Sequence, residues 1–217
     1  MAKKIIFQLL KTLLNSFIAG LILGLAGLGF VVTGSTVIGT LFLGLGFLIC
    51  LLYGYDVFML KAPYMLENKG MAAVETLISI IGNVVGTIII ALVARFTGIY
   101  DTYASTIGEI IKQTNNYYSY LENLLYAVFA GIIVYFGVNT YKKAEQPIAR
   151  YLVLLLCGAL AFYVGNSMFS YSTFFLFAGK VDGITFSTLV SKLSTILIGN
   201  AFGAIAVPLL IKVRRKL

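Results

Sequence analysis

The sequence contains one twelve-residue pattern twice, as IGNVVGTIIIAL at residues 81–92 and as IGNAFGAIAVPL at residues 198–209. Six of the twelve positions are identical without a gap. Matches between apolar positions often arise by chance in apolar segments, but a shared Gly-Asn-x-x-Gly motif does not. Both copies lie in long apolar segments, where paired glycines favour close helix packing. The pattern therefore predicts an internal repeat, with Asn83 and Asn200 at equivalent positions.

Composition places this repeat in a membrane. Hydrophobic residues make up 60% of the 217 residues and charged residues only 11%, whereas a soluble domain carries about 25% charged residues. A helix needs about 20 apolar residues to cross the hydrocarbon. We therefore predict an all-α integral membrane protein whose partner is the lipid bilayer. Its six spans lie near residues 13–32, 36–53, 72–96, 121–141, 148–165 and 187–211.

The second and fifth spans do not continue cleanly. Residues 54–63 read GYDVFMLKAP and residues 165–173 read GNSMFSYST, which puts polar residues at or near membrane depth. Irregular backbone at that depth survives only when it is buried in protein or lines a wet cavity. Both breaks are therefore candidates for a pathway.

The repeat relates the two breaks to each other. Three spans in each half, about 12–97 and 121–212, imply that the halves insert with opposite topology within one domain, 1–217. The segment 97–120 would connect them as an interfacial or capping helix on the outer side. Interrupted helices at corresponding places in inverted halves are the best sequence indication of a transport site.

The basic residues favour one orientation. With six spans both chain ends share a side, and 12 of the 16 basic residues fall on it, which predicts that both termini are cytoplasmic. These are Lys3, Lys4, Lys11, Lys61, Lys69, Lys142, Lys143, Arg150, Lys212, Arg214, Arg215 and Lys216. The net charge of +8 thus reflects membrane anchoring, and no nucleic-acid partner is expected because a phosphate-binding groove needs a continuous basic face.

Several kinds of chemistry are excluded by residue type. The chain has no histidine, so it cannot form a Ser-His-Asp triad or a histidine–metal site, and its eight acidic residues are spread singly. Cys50 and Cys157 lie inside apolar runs. We expect no enzyme activity, no metal and no cofactor.

The pattern resembles the formate/nitrite transporter family over nearly the whole chain. The family's second-span loop, Gly-x-acid-Leu-Phe-Thr, is met by residues 54–59, and its Gly-Asn-x-x-Gly by residues 82–86 and 199–203. Its basic residue before the fifth span is met by Arg150. The resemblance implies an aquaporin-like fold, a homopentamer with a pore in each protomer, and a bacterial or archaeal plasma membrane.

Two departures from the family concern the pore. The loop threonine falls on Met59. The family's fifth-span Phe-Glu-His-Ser, which supplies its central histidine, falls on residues 166–169 in an ungapped register from Arg150. A shifted register would instead put Val164 or Tyr163 at the histidine position. The resemblance therefore supports the architecture more than it supports the substrate or proton coupling.

The candidate site residues come from the breaks and from isolated charges. Asp56 either acts in the pathway or ties down its loop by accepting backbone hydrogen bonds, and Lys61 either attracts an anion or marks the inner interface. Phe58, Met59, Met168 and Phe169 form either an apolar constriction or ordinary packing. Asn166 is a candidate because it lies in the fifth-span break. Arg150 and Lys192 are either vestibule charges or snorkelling side chains.

The function that this reading favours is a channel for a small monovalent anion such as formate, nitrite or hydrosulfide. A channel for a small neutral solute is the alternative, since the missing histidine removes the group that could protonate an anion midway. A membrane scaffold that transports nothing, with Phe58, Met59 and Met168 closing the pore, is the third possibility.

Overall fold

The computed structural model describes residues 2–33, 36–65, 70–99, 101–103, 105, 108, 119–164 and 185–216. The regular structure in these ranges is helical. The helices are α1 (Ala2–Thr33), α2 (Thr36–Leu52), α3 (Phe58–Lys61), which runs into a short 3-10 turn (Ala62–Tyr64), α4 (Met71–Ala94), α5 (Tyr120–Lys143), α6 (Pro147–Val164) and α7 (Phe186–Arg214).

Five of these helices, α1 and α4 to α7, are long and apolar enough to cross a membrane, and α2 is a shorter apolar helix. The all-α prediction is confirmed. Helix α1 begins at Ala2, whereas the first membrane span was predicted to begin near residue 13. The helix can begin earlier because it can extend beyond the hydrocarbon layer. Most of the predicted connection 97–120 and the fifth-span break after Val164 lie outside the described residues.

Glycines set the spacing between α1 and α4 and, in the same way, between α5 and α7. A Cβ placed on Gly82 would collide with α1, and a Cβ placed on Gly199 would collide with α5. The atoms in the way belong to Leu13, Ser16 and Phe17 in the first pair and to Leu124, Ala127 and Val128 in the second. The two triplets have the same spacing along the chain, so the sequence repeat recurs as a packing arrangement.

A further long contact joins α2 to α6. A Cβ on Gly44 would lie 2.6 Å from the Leu155 carbonyl oxygen, and a Cβ on Gly158 would lie 3.2 Å from the Cα of Gly44. Phe47 and Phe162 meet edge to face beside this crossing, with ring centroids 6.4 Å apart. The two helices therefore touch backbone to backbone near their middles.

Helix α2 ends at Leu52 for a local reason. Gly54 adopts a positive φ of 70°, and the amides of Gly54 and Tyr55 donate to the carbonyls of Leu51 and Cys50. This is a Schellman motif, which satisfies the last carbonyls of a helix and requires a residue that tolerates left-handed backbone. At 17 residues α2 is about 25 Å long, shorter than the ~30 Å hydrocarbon. The chain then leaves the helix until Phe58.

Candidate functional site

Asn83 on α4 holds the break after α2. Its side chain is fully buried. Its Oδ1 accepts a hydrogen bond from the Phe58 amide at 2.9 Å, and its Nδ2 donates to the carbonyls of Asp56 at 2.9 Å and Ser16 at 2.8 Å. Backbone that leaves a helix at membrane depth needs such partners, because water is not available there. One amide thus fastens the break to α4 and α1 together.

A cluster of charged side chains lies beside the same break, near the beginnings of α1 and α4. The Lys61 ammonium lies 3.0 Å from an Asp56 carboxylate oxygen and 3.6 Å from a Glu75 carboxylate oxygen. The Gln8 side-chain amide donates to the other oxygen of Glu75. With two carboxylates around one ammonium, the three side chains carry a formal charge of −1. The positive charge of Lys61 is therefore balanced by the two neighbouring carboxylates.

This cluster predicts coupled stability effects. Lys61→Met leaves two neighbouring carboxylates without their cation, so we expect a lower unfolding temperature in detergent. Adding Glu75→Gln should recover part of the loss, with a coupling energy of about 0.5–3 kcal/mol, as is usual for side chains in direct contact. The exposed Lys216→Met serves as the matched control. Strict additivity of Lys61→Met and Glu75→Gln would show that the cluster does not act as a unit.

The side chains that follow the break are buried apolar ones. Phe58 and Met59 are only 1% and 2% exposed. Helix α3, which carries them, contacts α4 from the first half of the chain and α5 and α7 from the second. The structure therefore places these two predicted constriction residues in the interior, where both halves meet.

Lys192 is a buried cation in the second half. It is only 4% exposed. It shares the interior face of α7 with Leu189, Ile196 and Asn200, all fully buried. A lysine whose ammonium simply reached the membrane interface would remain exposed at its tip. Its position puts a basic side chain inside the bundle.

The remaining predicted residues are not gathered with these. The Arg150 side chain donates to the carbonyl of Ala144, the residue that ends α5, so it ties together the turn between α5 and α6. Asn200 is fully buried, yet neither polar atom of its side chain has a hydrogen-bond partner among the described residues. The other three candidates, Asn166, Met168 and Phe169, lie outside the described residues. Within the described ranges, no cluster of acidic or cysteine side chains could hold a metal ion.

Sequence reasoning missed Glu75 and Gln8 as members of the site. The repeat contained a signal for Glu75. When the ungapped alignment of residues 81–92 with 198–209 is extended by six residues toward the amino end, Glu75 falls on Lys192. The two halves thus carry opposite charges at equivalent helix positions. Gln8 offered no such signal, because its role depends on how α1 lies against α4.

The comparisons with known proteins agree with this geometry. The family model for the formate/nitrite transporters matches residues 1–213. The chain belongs to the formate/nitrite transporter family. As a member of that family it is an integral membrane protein, as the composition predicted, and the resemblance inferred from the loop and the two Gly-Asn-x-x-Gly motifs is confirmed. No curated protein matches the sequence.

Solved structures show the same fold as this formate/nitrite transporter family member. One, described as an FNT family ion channel, superposes with a TM-score of 0.81 at 15% identity and covers 95% of this chain and 90% of its own. Another, a pentameric formate channel with formate bound, gives a TM-score of 0.79 at 16% identity and covers 100% of both chains. The two TM-scores establish the architecture. Because the sequence identities are low, the substrate and the assembly have to be argued from the site.

Proposed function

We propose that this protein is a membrane channel for a small monovalent anion of the formate or nitrite type, with one pore in each protomer of a homopentamer. Family membership supports a channel or transporter and not an enzyme. The similar pentameric formate channel supports the assembly and the class of solute.

The observation that carries the anion assignment is Lys192. A positive side chain that is only 4% exposed, on the interior face of an apolar helix, is costly to place and is a functional hypothesis by default. Fixed positive charge in a low-dielectric passage raises the local concentration of anions and repels cations. By contrast, the cluster of Lys61, Asp56 and Glu75 carries a net negative charge and does not attract anions. Arg150 would add positive charge only at the α5–α6 turn.

The pathway runs between two inverted halves in this proposal, about 12–97 and 121–212. The recurrent packing of Gly82 on α1 and Gly199 on α5 supports the relation. Asn83 binds the backbone of the first break. Asn200 lies at the equivalent position of the repeat, and its amide has no partner in the part of the chain that the structure describes. We infer that Asn200 fastens the fifth-span break, with Asn166 at its start, as Asn83 fastens the second.

Apolar side chains would form the narrowest part of this pathway. Phe58 and Met59 are buried where both halves meet, and Met168 and Phe169 follow the fifth span. A hydrophobic constriction passes small, weakly hydrated solutes and rejects hydrated ions by dewetting. The single threonine-to-Met59 exchange relative to the family makes this constriction less polar.

The orientation rests on charge. The chain ends, the α5–α6 turn and the loop near residue 69 carry most of the basic residues, and such residues remain on the cytoplasmic side. We propose that both termini are cytoplasmic, in a bacterial or archaeal plasma membrane.

The proposal is tested by flux into liposomes that contain the purified protein. Formate and nitrite should pass, and Lys192→Met should lower their flux about tenfold or more, which corresponds to about 1.4 kcal/mol of lost attraction. Lys192→Arg should keep most of the flux, since it keeps the charge. Lys216→Met, an exposed lysine near the chain end, is the control and should leave the flux unchanged.

The same assay distinguishes the alternatives. Urea, glycerol and ammonia should pass slowly and should not respond to Lys192→Met. Fast flux of these neutral solutes with no anion flux would favour the neutral-solute channel, for which the apolar constriction and the absence of histidine are the supporting observations. No flux of either class in correctly folded protein would favour the scaffold.

The pH dependence of flux gives a separate prediction. Histidine is the one side chain that titrates without perturbation between about pH 5 and 8, and this chain has none. Flux of a strong acid's anion should therefore show no midpoint in that range, while flux of a weak acid should follow the ionisation of the acid itself. A midpoint shared by both would contradict this. Met168→His should introduce a midpoint in the ungapped register, and no change would favour the shifted register.

A further inference from the structure

A cavity of about 490 Å³ opens at the end of the bundle that carries the carboxyl end of the chain. It lies between the end of α5, the 3-10 turn after α3 and the end of α7. Four basic side chains line it, and the described part of its wall contains no acidic residue. The lining that matters here is Tyr64, Asn139, Lys143, Lys212, Arg214 and Arg215.

The arrangement of the positive charges in this cavity is not explained by stabilisation of a helix end or by membrane anchoring alone. A basic residue near the carboxyl end of a helix stabilises the helix dipole and needs no common target. Here the basic residues of two helix ends, Lys143 on α5 and Lys212 to Arg215 on α7, converge on one concave space. Four like charges that share a cavity repel one another, and an anion with several charges relieves that repulsion.

The shape and the polar groups favour a phosphate. Lysine and arginine are the side chains that bind phosphate oxygens, with arginine able to donate two parallel hydrogen bonds. Tyr64 and Asn139 add neutral polar side chains to the same wall, and the Tyr64 hydroxyl accepts a hydrogen bond from Lys142. The volume falls within the range of about 300–1,000 Å³ typical of small-molecule sites, and it is far larger than one small monovalent anion needs.

We propose that this cavity binds a phosphate-bearing anion with two or more negative charges, supplied either by a lipid headgroup or by a soluble phosphorylated compound. The site is separate from the pathway for the transported anion. It adjoins it, however, because Tyr64 belongs to the 3-10 turn that continues from α3, the helix of Phe58 and Met59. Lys142 holds that turn to α5, with its ammonium 4.0 Å from the centre of the Tyr64 ring.

The test measures binding and does not depend on flux. Purified oligomer in nanodiscs of phosphatidylcholine is titrated with labelled pyrophosphate. We expect saturable binding, about tenfold or more weaker in the double variant Lys212→Gln/Arg215→Gln, because each removes a charge-assisted contact. The control is Lys4→Gln/Lys216→Gln, which removes the same charge from exposed residues outside the cavity and should bind as the wild type does.

Cardiolipin in the nanodiscs distinguishes the two sources. If the headgroup is the natural occupant, cardiolipin should displace pyrophosphate, and native mass spectrometry should show it retained by the wild type and lost from the cavity variant. If cardiolipin leaves pyrophosphate binding unchanged, the occupant is a soluble compound. The proposal is overturned if neither probe binds saturably, or if the control pair weakens binding as much as the cavity pair.

Discussion

Asn83→Ala should abolish a stable, correctly folded protein at moderate temperature. The change leaves the Phe58 amide and the Asp56 carbonyl without a partner, and it removes the second hydrogen bond of the Ser16 carbonyl, which keeps its partner within α1. Each unpaired buried group costs about 1–3 kcal/mol, so the sum is a large part of the ~5–15 kcal/mol by which typical proteins are stable. The measurement is the yield of monodisperse protein after extraction, followed by its thermal unfolding.

The matched control is Asn139→Ala, which removes the same atoms from a half-buried asparagine of α5 outside this network. It should unfold close to the wild-type temperature. If Asn83→Ala were as stable as this control, the break after α2 would be held by something other than the Asn83 amide, and the proposed equivalence of Asn200 would lose its basis.

Gly203→Ala should destabilise the packing of α5 against α7. The added methyl group would collide with the carbonyl group and Cα of Val128, and backbone atoms cannot move aside as a side-chain end can. Forced extra volume in a tight interior costs about 1–3 kcal/mol, and sometimes more. Helix propensity alone predicts the opposite sign, since alanine is favoured over glycine by about 1 kcal/mol in a helix. The sign of the effect therefore tells packing apart from propensity.

Gly98→Ala is the control for this substitution, because a Cβ at Gly98 would meet nothing within 4 Å. Its unfolding temperature should stay near that of the wild type. Gly82→Ala and Gly86→Ala should behave like Gly203→Ala, since their Cβ atoms would also meet the backbone of a neighbouring helix. A Gly203→Ala protein that melts above the wild type would show that α5 and α7 lie further apart than described.

The spans and the family could be predicted because both depend on residue type along the chain. The length of an apolar segment predicts a membrane-crossing helix whatever the helix packs against. The Gly-Asn-x-x-Gly motif can be recognised in the sequence wherever it occurs. The break after α2 could also be predicted from the sequence, since Gly54 can adopt the left-handed backbone conformation that ends a helix. In these cases the physical cause lies within a few residues of its effect.

The site could be predicted only in part because its contacts join residues that are distant in the chain. Asn83 was singled out, but nothing in the sequence shows that its amide binds the backbone of Asp56 and Phe58. Lys61 could be paired with Asp56, five residues away, yet its second carboxylate, Glu75, lies on another helix. Arg150 was predicted to be a vestibule charge or a snorkelling side chain, and nothing in the sequence shows that it donates to the carbonyl of Ala144.

The crossing of α2 and α6 at Gly44 and Gly158 bears on the order in which the chain assembles during synthesis. Helices α1, α2 and α4 leave the ribosome before α5 exists, and the contacts between α1 and α4, including those of Asn83, lie wholly among them. Domains generally fold as units, the amino-terminal one first. The amino-terminal three helices can therefore adopt their final packing early, while Gly44 stays exposed to lipid until Gly158 is made. Because glycines let helices approach closely in lipid, Gly44 is an open packing site on α2 until α6 covers it.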